Sequence, residues 1–179
     1  DYYSAQFGGA ASIHFAPDGI RREPLDIDLE TLHARVVVLY TGEPRNSGTN
    51  NWEITKRHID GDRELFDVFE GIRDTAADLR VALIEGDWTK VGDLLKAAFP
   101  HRKRLSPMIT TPHMDELIET ALNNGAIAAK VCGAGGGGCI AFFCEEGRRS
   151  EVESALSAEP GAEVLNYNIS TDGLVVKVS

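Results

Sequence analysis

Residues 130 to 139 read Lys-Val-Cys-Gly-Ala-Gly-Gly-Gly-Gly-Cys, and five of the six positions 133–138 carry no side chain. Glycine in ordered structure costs conformational entropy, so such density points to positive φ or to close approach by another group. The flanks, residues 126–132 and 139–144, are short apolar runs that read as strands. Between two strands the expected visitor is a phosphate or a second backbone loop. Gly133, Gly135 and Gly138 formally satisfy Gly-x-Gly-x-x-Gly, but a dinucleotide site needs a helix directly after the loop. Cys139-Ile-Ala-Phe-Phe-Cys144 follows instead, and no Gly-Lys-Ser/Thr closes a P-loop. The segment is strand, glycine loop, strand.

The 179 residues fit one ordinary domain, or one domain and part of another. With 18 Lys and Arg against 28 Asp and Glu, the net charge of −10 disfavours nucleic acid and anionic membrane as partners. Cys132, Cys139 and Cys144 lack metal-ligand spacing and read as reduced core thiols of a cytoplasmic protein. No apolar run approaches the roughly 18 residues of a membrane span. The start at Asp1-Tyr-Tyr, without methionine, reads as a fragment or processed material.

Outward from the loop, residues 1–7 form one or two helical turns ended by Gly8-Gly9. Residues 11–15 and 20–27 form strands about Pro17-Asp18-Gly19; residues 28–33 connect to a buried strand over 34–40. A polar loop spans 41–51. A single helical pattern then covers about 51–85, with Leu65, Val68, Phe69, Ile72, Ala76, Leu79 and Leu83 on one stripe. A second helix follows Gly86 and stops before Pro100; a third starts at Thr111-Pro112 and ends at Gly125. After the hairpin come a helix over 150–158 and two strands, 163–170 and 174–178, turning at Asp172-Gly173. Irregular alternation with hairpins favours an α+β fold over a doubly wound sheet.

At this point the chain is identified as resembling the GHMP small-molecule kinases. The stretch Asn124-Gly-Ala followed by Lys130 to Cys139 resembles their C-terminal glycine motif. Asp1-Tyr-Tyr-Ser-Ala-Gln-Phe-Gly-Gly9 resembles the Asp-Gln-Tyr-Ala-Ala-Ala-Phe-Gly-Gly of the heptose-phosphate branch. Thr41-Gly-x-x-Arg45-x-Ser47 and Lys103-x-Leu105-Ser106 are similar to the same branch. The resemblance implies an ATP- and Mg²⁺-dependent kinase acting on a hydroxyl of a sugar or sugar phosphate. It also implies that residues 1–30 are the tail of an N-terminal ATP-binding domain, incomplete here, and that residues 31–179 form the C-terminal domain, mostly an antiparallel sheet with helices on it. The Pro-x-x-x-Gly-Leu-Gly-Ser-Ser loop of the family is absent from this sequence. On that reading ATP and Mg²⁺ are held mainly by the other domain, and the chain alone is inactive.

By the same resemblance, Asp1 is the catalytic carboxylate that orients and deprotonates the attacking hydroxyl. Gly133, Ala134, Gly135, Gly136, Gly137 and Gly138 lie near the ATP phosphates and the substrate; the plainer reading is a hairpin that needs only glycine. Arg45 is a candidate for substrate phosphate through its guanidinium fork, or a solvated surface residue. Arg102, Lys103 and Arg104, the one dense basic cluster, are candidates for an anionic substrate or a solvated loop. No histidine is assigned to a metal, and Trp52 and Trp88 read as packing residues. A homodimer stays open. The competing readings are another GHMP kinase, of galactokinase or mevalonate type, and a non-catalytic binding or dimerisation module.

Overall fold

The computed structural model describes residues 2–44 and 47–176, without the side chains of residues 47–50. At its centre, β4 (Ala126–Val131) and β5 (Cys139–Cys144) form the expected hairpin. β5 also pairs antiparallel with β3 (Val36–Tyr40), which pairs with β6 (Glu163–Val164). The sheet order is β4-β5-β3-β6. Both faces of β5 are covered, which is why its sequence is apolar without alternation. Ile140, Phe142 and Cys144 join one core with Val37, Leu39, Met114, Leu117, Val152 and Leu156. Phe143 points the other way, into a second core with Ala82, Val91 and Ala128. An irregularity between Ala126 and Ala128 brings Ala126 onto the same face as Ala129 and Val131.

Helices cover both faces. α6 (Pro112–Asn123) begins where Thr111 accepts a hydrogen bond from the Met114 amide, with Pro112 in the first turn. α6 and α7 (Arg149–Ser157) supply Met114, Leu117, Val152 and Leu156 to the first core. α4 (Arg63–Glu85) and α5 (Trp88–Leu105) form a helical hairpin through Gly86, whose φ of 68° only glycine adopts cheaply. α5 lies close on β4: a Cβ on buried Gly92 would stand 3.3 Å from Ile127.

Several expectations are corrected, and the polar loop expected over 41–51 gives way to helix from Ser47. The single helix over 51–85 is two, α3 (Ser47–Ile59) and α4, broken at Gly61 (φ 78°) where Asp62 caps the Leu65 amide at 3.1 Å. The second helix does not stop before Pro100. It runs through it to Leu105, with Pro100 and Lys96 both on the exposed side of the helix, where losing one backbone hydrogen bond costs least. The connection after residue 28 is a helix, α2 (Leu29–Arg35), capped by Asp28. The final two strands shrink to β6. Beyond it Leu165 gives one more bond to the Val38 carbonyl, and then side chains take over, with the Tyr167 hydroxyl donating to the Val36 carbonyl at 2.9 Å. Residues 165–176 hold no strand, and 177–178 of the second predicted strand lie outside the described residues.

α1 (Tyr2–Phe7) ends at Gly8-Gly9 as expected. β1 (Ala11–Ala16) and β2 (Gly19–Pro24) make a separate two-stranded sheet; β2 stops at Pro24 rather than at residue 27, with one further bond from the Leu25 amide to the Ala10 carbonyl. The C-terminal segment returns to this end: the Gly9 amide donates to the Ser170 carbonyl and the Leu174 amide to the Gln6 carbonyl. Among the described residues, no helix is long and apolar enough to cross a membrane.

Candidate functional site

All five glycines of the loop have positive φ, from 69° at Gly133 to 133° at Gly137. The crowding comes from two backbone segments. A Cβ on Gly135 would lie 2.5 Å from the Ile109 carbonyl oxygen, and one on Gly137 would lie 3.0 Å from those of Glu43 and Pro44. The contacts are also bonded. The Gly136 amide donates to the Ile109 carbonyl at 3.1 Å, the Gly138 amide to Glu43 at 2.8 Å, and the Thr41 amide to the Gly138 carbonyl at 2.9 Å. A second backbone segment, one of the two expected visitors, is present, and it comes from both sides.

The two clamping segments are themselves fixed. Buried Thr41 follows β3, and its carbonyl oxygen lies 3.3 Å from His113 Nε2 at the start of α6. Buried Ser106 caps α5 and accepts the Met108 amide at 3.1 Å, turning the chain so that Ile109 enters the core. Thr41, Glu43, Ser106, Ile109 and His113 were not singled out from sequence as neighbours of the loop. The short polar side chains of Thr41 and Ser106 are turn signals, but the meeting of all five depends on sheet pairing and helix length.

Asp1 and Arg45 lie outside the described residues. The basic cluster is the last turn of α5, not a loop, and its members diverge. Arg102 reaches the glycine loop, where its Nη2 donates to the Gly133 carbonyl. Its Nε is buried without a partner, and burial pushes its pKa down. Lys103 Nζ pairs with Asp115 Oδ1 at 2.9 Å, and Arg104 with Glu64 at 3.3 Å. Only Arg102 of the three touches the loop.

A strand–glycine loop–strand unit clamped by the β3 exit and the α5–α6 connection is a rigid wall. Residues 79–162, which include the loop, match the family described as GHMP kinases C terminal. The fold is that of a GHMP kinase C-terminal domain, and residues 79–162 carry the match to that family. It is 26% identical over 178 residues, 97% of its length, to a D-glycero-alpha-D-manno-heptose 7-phosphate kinase of Campylobacter jejuni, covering 52% of that protein. It is 27% identical over 147 residues to a mevalonate kinase of Pyrococcus horikoshii, covering 79% of this chain and 43% of that one. The fold matches the crystal structure of L. major mevalonate kinase in complex with R-mevalonate, with a TM-score of 0.78 at 17% identity, over 96% of this chain and 52% of that one. The chain spans about half the length of the curated relatives it matches.

These relatives are kinases, whose reaction requires ATP and Mg²⁺. Two loop amides that a phosphate would need, those of Gly136 and Gly138, already donate to backbone carbonyls. Among the described residues, no group of three or more His, Cys, Asp or Glu is placed to hold a metal ion. A phosphate at those two amides would have to displace the carbonyls of Ile109 and Glu43.

Proposed function

We propose that this domain is the C-terminal part of an ATP-dependent sugar kinase that phosphorylates a hydroxyl of a heptose phosphate or a similar sugar phosphate. The observation that carries this is the similarity over 97% of the chain to a heptose 7-phosphate kinase, with the glycine loop of residues 133–138 held in place as a wall. On this reading residues 1–30 belong to the nucleotide-binding half and residues 31–179 form the second domain. Asp1 takes the proton from the attacking hydroxyl. The loop contributes position rather than protons, and positioning and electrostatic stabilisation dominate phosphoryl transfer. Arg45, Arg102, Lys103 and Arg104 are the proposed contacts for substrate anion, with Arg102 nearest the loop.

The test is turnover by the longer protein that joins this chain to a nucleotide-binding half, with ATP and a panel of sugars, sugar phosphates, mevalonate and homoserine. Turnover confined to phosphorylated sugars is expected. Turnover on mevalonate but on no sugar would replace the heptose reading with the mevalonate-kinase one, which the similarity to the Pyrococcus horikoshii enzyme keeps in play. Asp1→Asn should reduce kcat by at least about 100-fold with ATP affinity unchanged. The chain alone is expected not to bind ATP at roughly micromolar concentration.

A further inference from the structure

A second feature lies between α4, α5 and β4. A cavity of about 180 Å³ is walled by Ile72, Leu79, Leu94, Phe99 and Val131, with Arg102 and exposed Lys130 as its charged members. No acidic residue lines it among the described residues. Most other cations of the domain, Lys103, Arg104, Arg80 and Arg149 among them, have carboxylate partners. Neither Arg102 nor Lys130 has an ion pair among the described residues. Arg102 is half-buried, its Nε meets nothing, and only the Gly133 carbonyl answers its guanidinium. A buried guanidinium without a counter-charge is costly, and an anion removes that cost.

We propose that this cavity binds a small monocarboxylate with a compact apolar body, its carboxylate held by Arg102 and Lys130. An apolar cavity of about 150 Å³ accepts a benzene-sized molecule, which sets the scale at roughly six to eight heavy atoms. The carboxylate supplies the counter-charge that the Arg102 guanidinium and Lys130 lack, and the hydrocarbon fills space that side chains leave empty. Because Arg102 also holds Gly133, the bound acid stiffens the entrance to the glycine loop. The inference does not depend on the kinase reading.

The experiment is calorimetric titration and amide NMR of the chain with hexanoate, and with 1-hexanol as the neutral control. Saturable one-to-one binding of hexanoate is expected, with shifts at Leu79, Leu94, Ala129 and Gly133 and affinity at least about tenfold above that of 1-hexanol. Lys130→Met, at an exposed position, should remove part of that preference without disturbing the fold. Arg102→Met should remove most of it. Ala98→Leu, which fills the cavity, should abolish binding of both probes while circular dichroism stays native. Equal binding of alcohol and acid, no binding of either at millimolar concentration, or binding undiminished in Ala98→Leu would each overturn the proposal.

Discussion

The molecule contains two antiparallel hairpins of six-residue strands, and they are built on opposite principles. β4–β5 is buried on both faces and closes through a glycine loop that two other segments grip. β1–β2 closes through Pro17-Asp18, carries Phe15 at 74% exposure, and is tied to α4 by charge. There Glu23 receives Arg80 through two nitrogens and His14 at 2.9 Å. The lesson is that glycine density reports crowding from outside a turn, not the sharpness of the turn. A tight turn needed one glycine, Gly19; a gripped loop needed five.

The comparison breaks first at the aromatic side chains. Phe142→Ala should cost about 3–5 kcal/mol in denaturant unfolding, since the side chain is fully buried. Phe15→Ala should stay within about 0.5 kcal/mol. Similar losses at both sites would mean that the two hairpins share one core. Next come the turns. Gly135→Ala combines a φ of 86° with a contact at 2.5 Å and should cost about 3 kcal/mol. Gly19→Ala, with nothing within 4 Å of the new methyl, should cost about 1 kcal/mol. An equal cost would show that the clamp yields.

The charge tie makes a pH prediction. Hydrogen bonds from Arg80 and then His14 hold the Glu23 carboxyl at about 2, below its ordinary 4.5. A depressed carboxylate stabilises the fold above its unfolded value, and that contribution fades as pH falls from 4.5 toward 2. Glu23→Gln should flatten this acid limb of the stability profile; an unchanged limb would show that the pairing carries nothing. The smallest effect concerns the two ends of β5. Burial pushes the Cys144 thiol up to about 11, so it should resist iodoacetamide at roughly pH 8 while half-exposed Cys139 reacts. Alkylation of both at one rate would place the far end of the strand in solvent.

The central hairpin, the Thr111-Pro112 start of α6 and the Gly86 helix stop were legible because each is a local signal: a cap, a breaker, an apolar run with turn residues at its ends. Pro100 misled because its effect depends on which face of α5 meets water, a tertiary fact. Gly61 was missed because the apolar stripe of α4 dominated the window around it. The strand expected over 163–170 stops at Val164 because Tyr167 and His33 offer hydrogen bonds that replace a ladder, with His33 Nε2 lying 3.0 Å from the Tyr167 carbonyl. At the site, the family resemblance located the loop, yet its grip by Glu43 and Ile109 follows from pairings between segments far apart in sequence. No window of residues around 133–138 contains that information.

The grip on the loop also sets its place in time. Gly136 and Gly138 sit in a turn, yet their amides bond to carbonyls brought in by β3 and by the end of α5. Neither bond opens by fraying of the hairpin; each needs a neighbouring segment to withdraw. Their hydrogen exchange should therefore follow cooperative unfolding of the sheet, and both bonds should form late, after the strands and helices have closed the chain on itself.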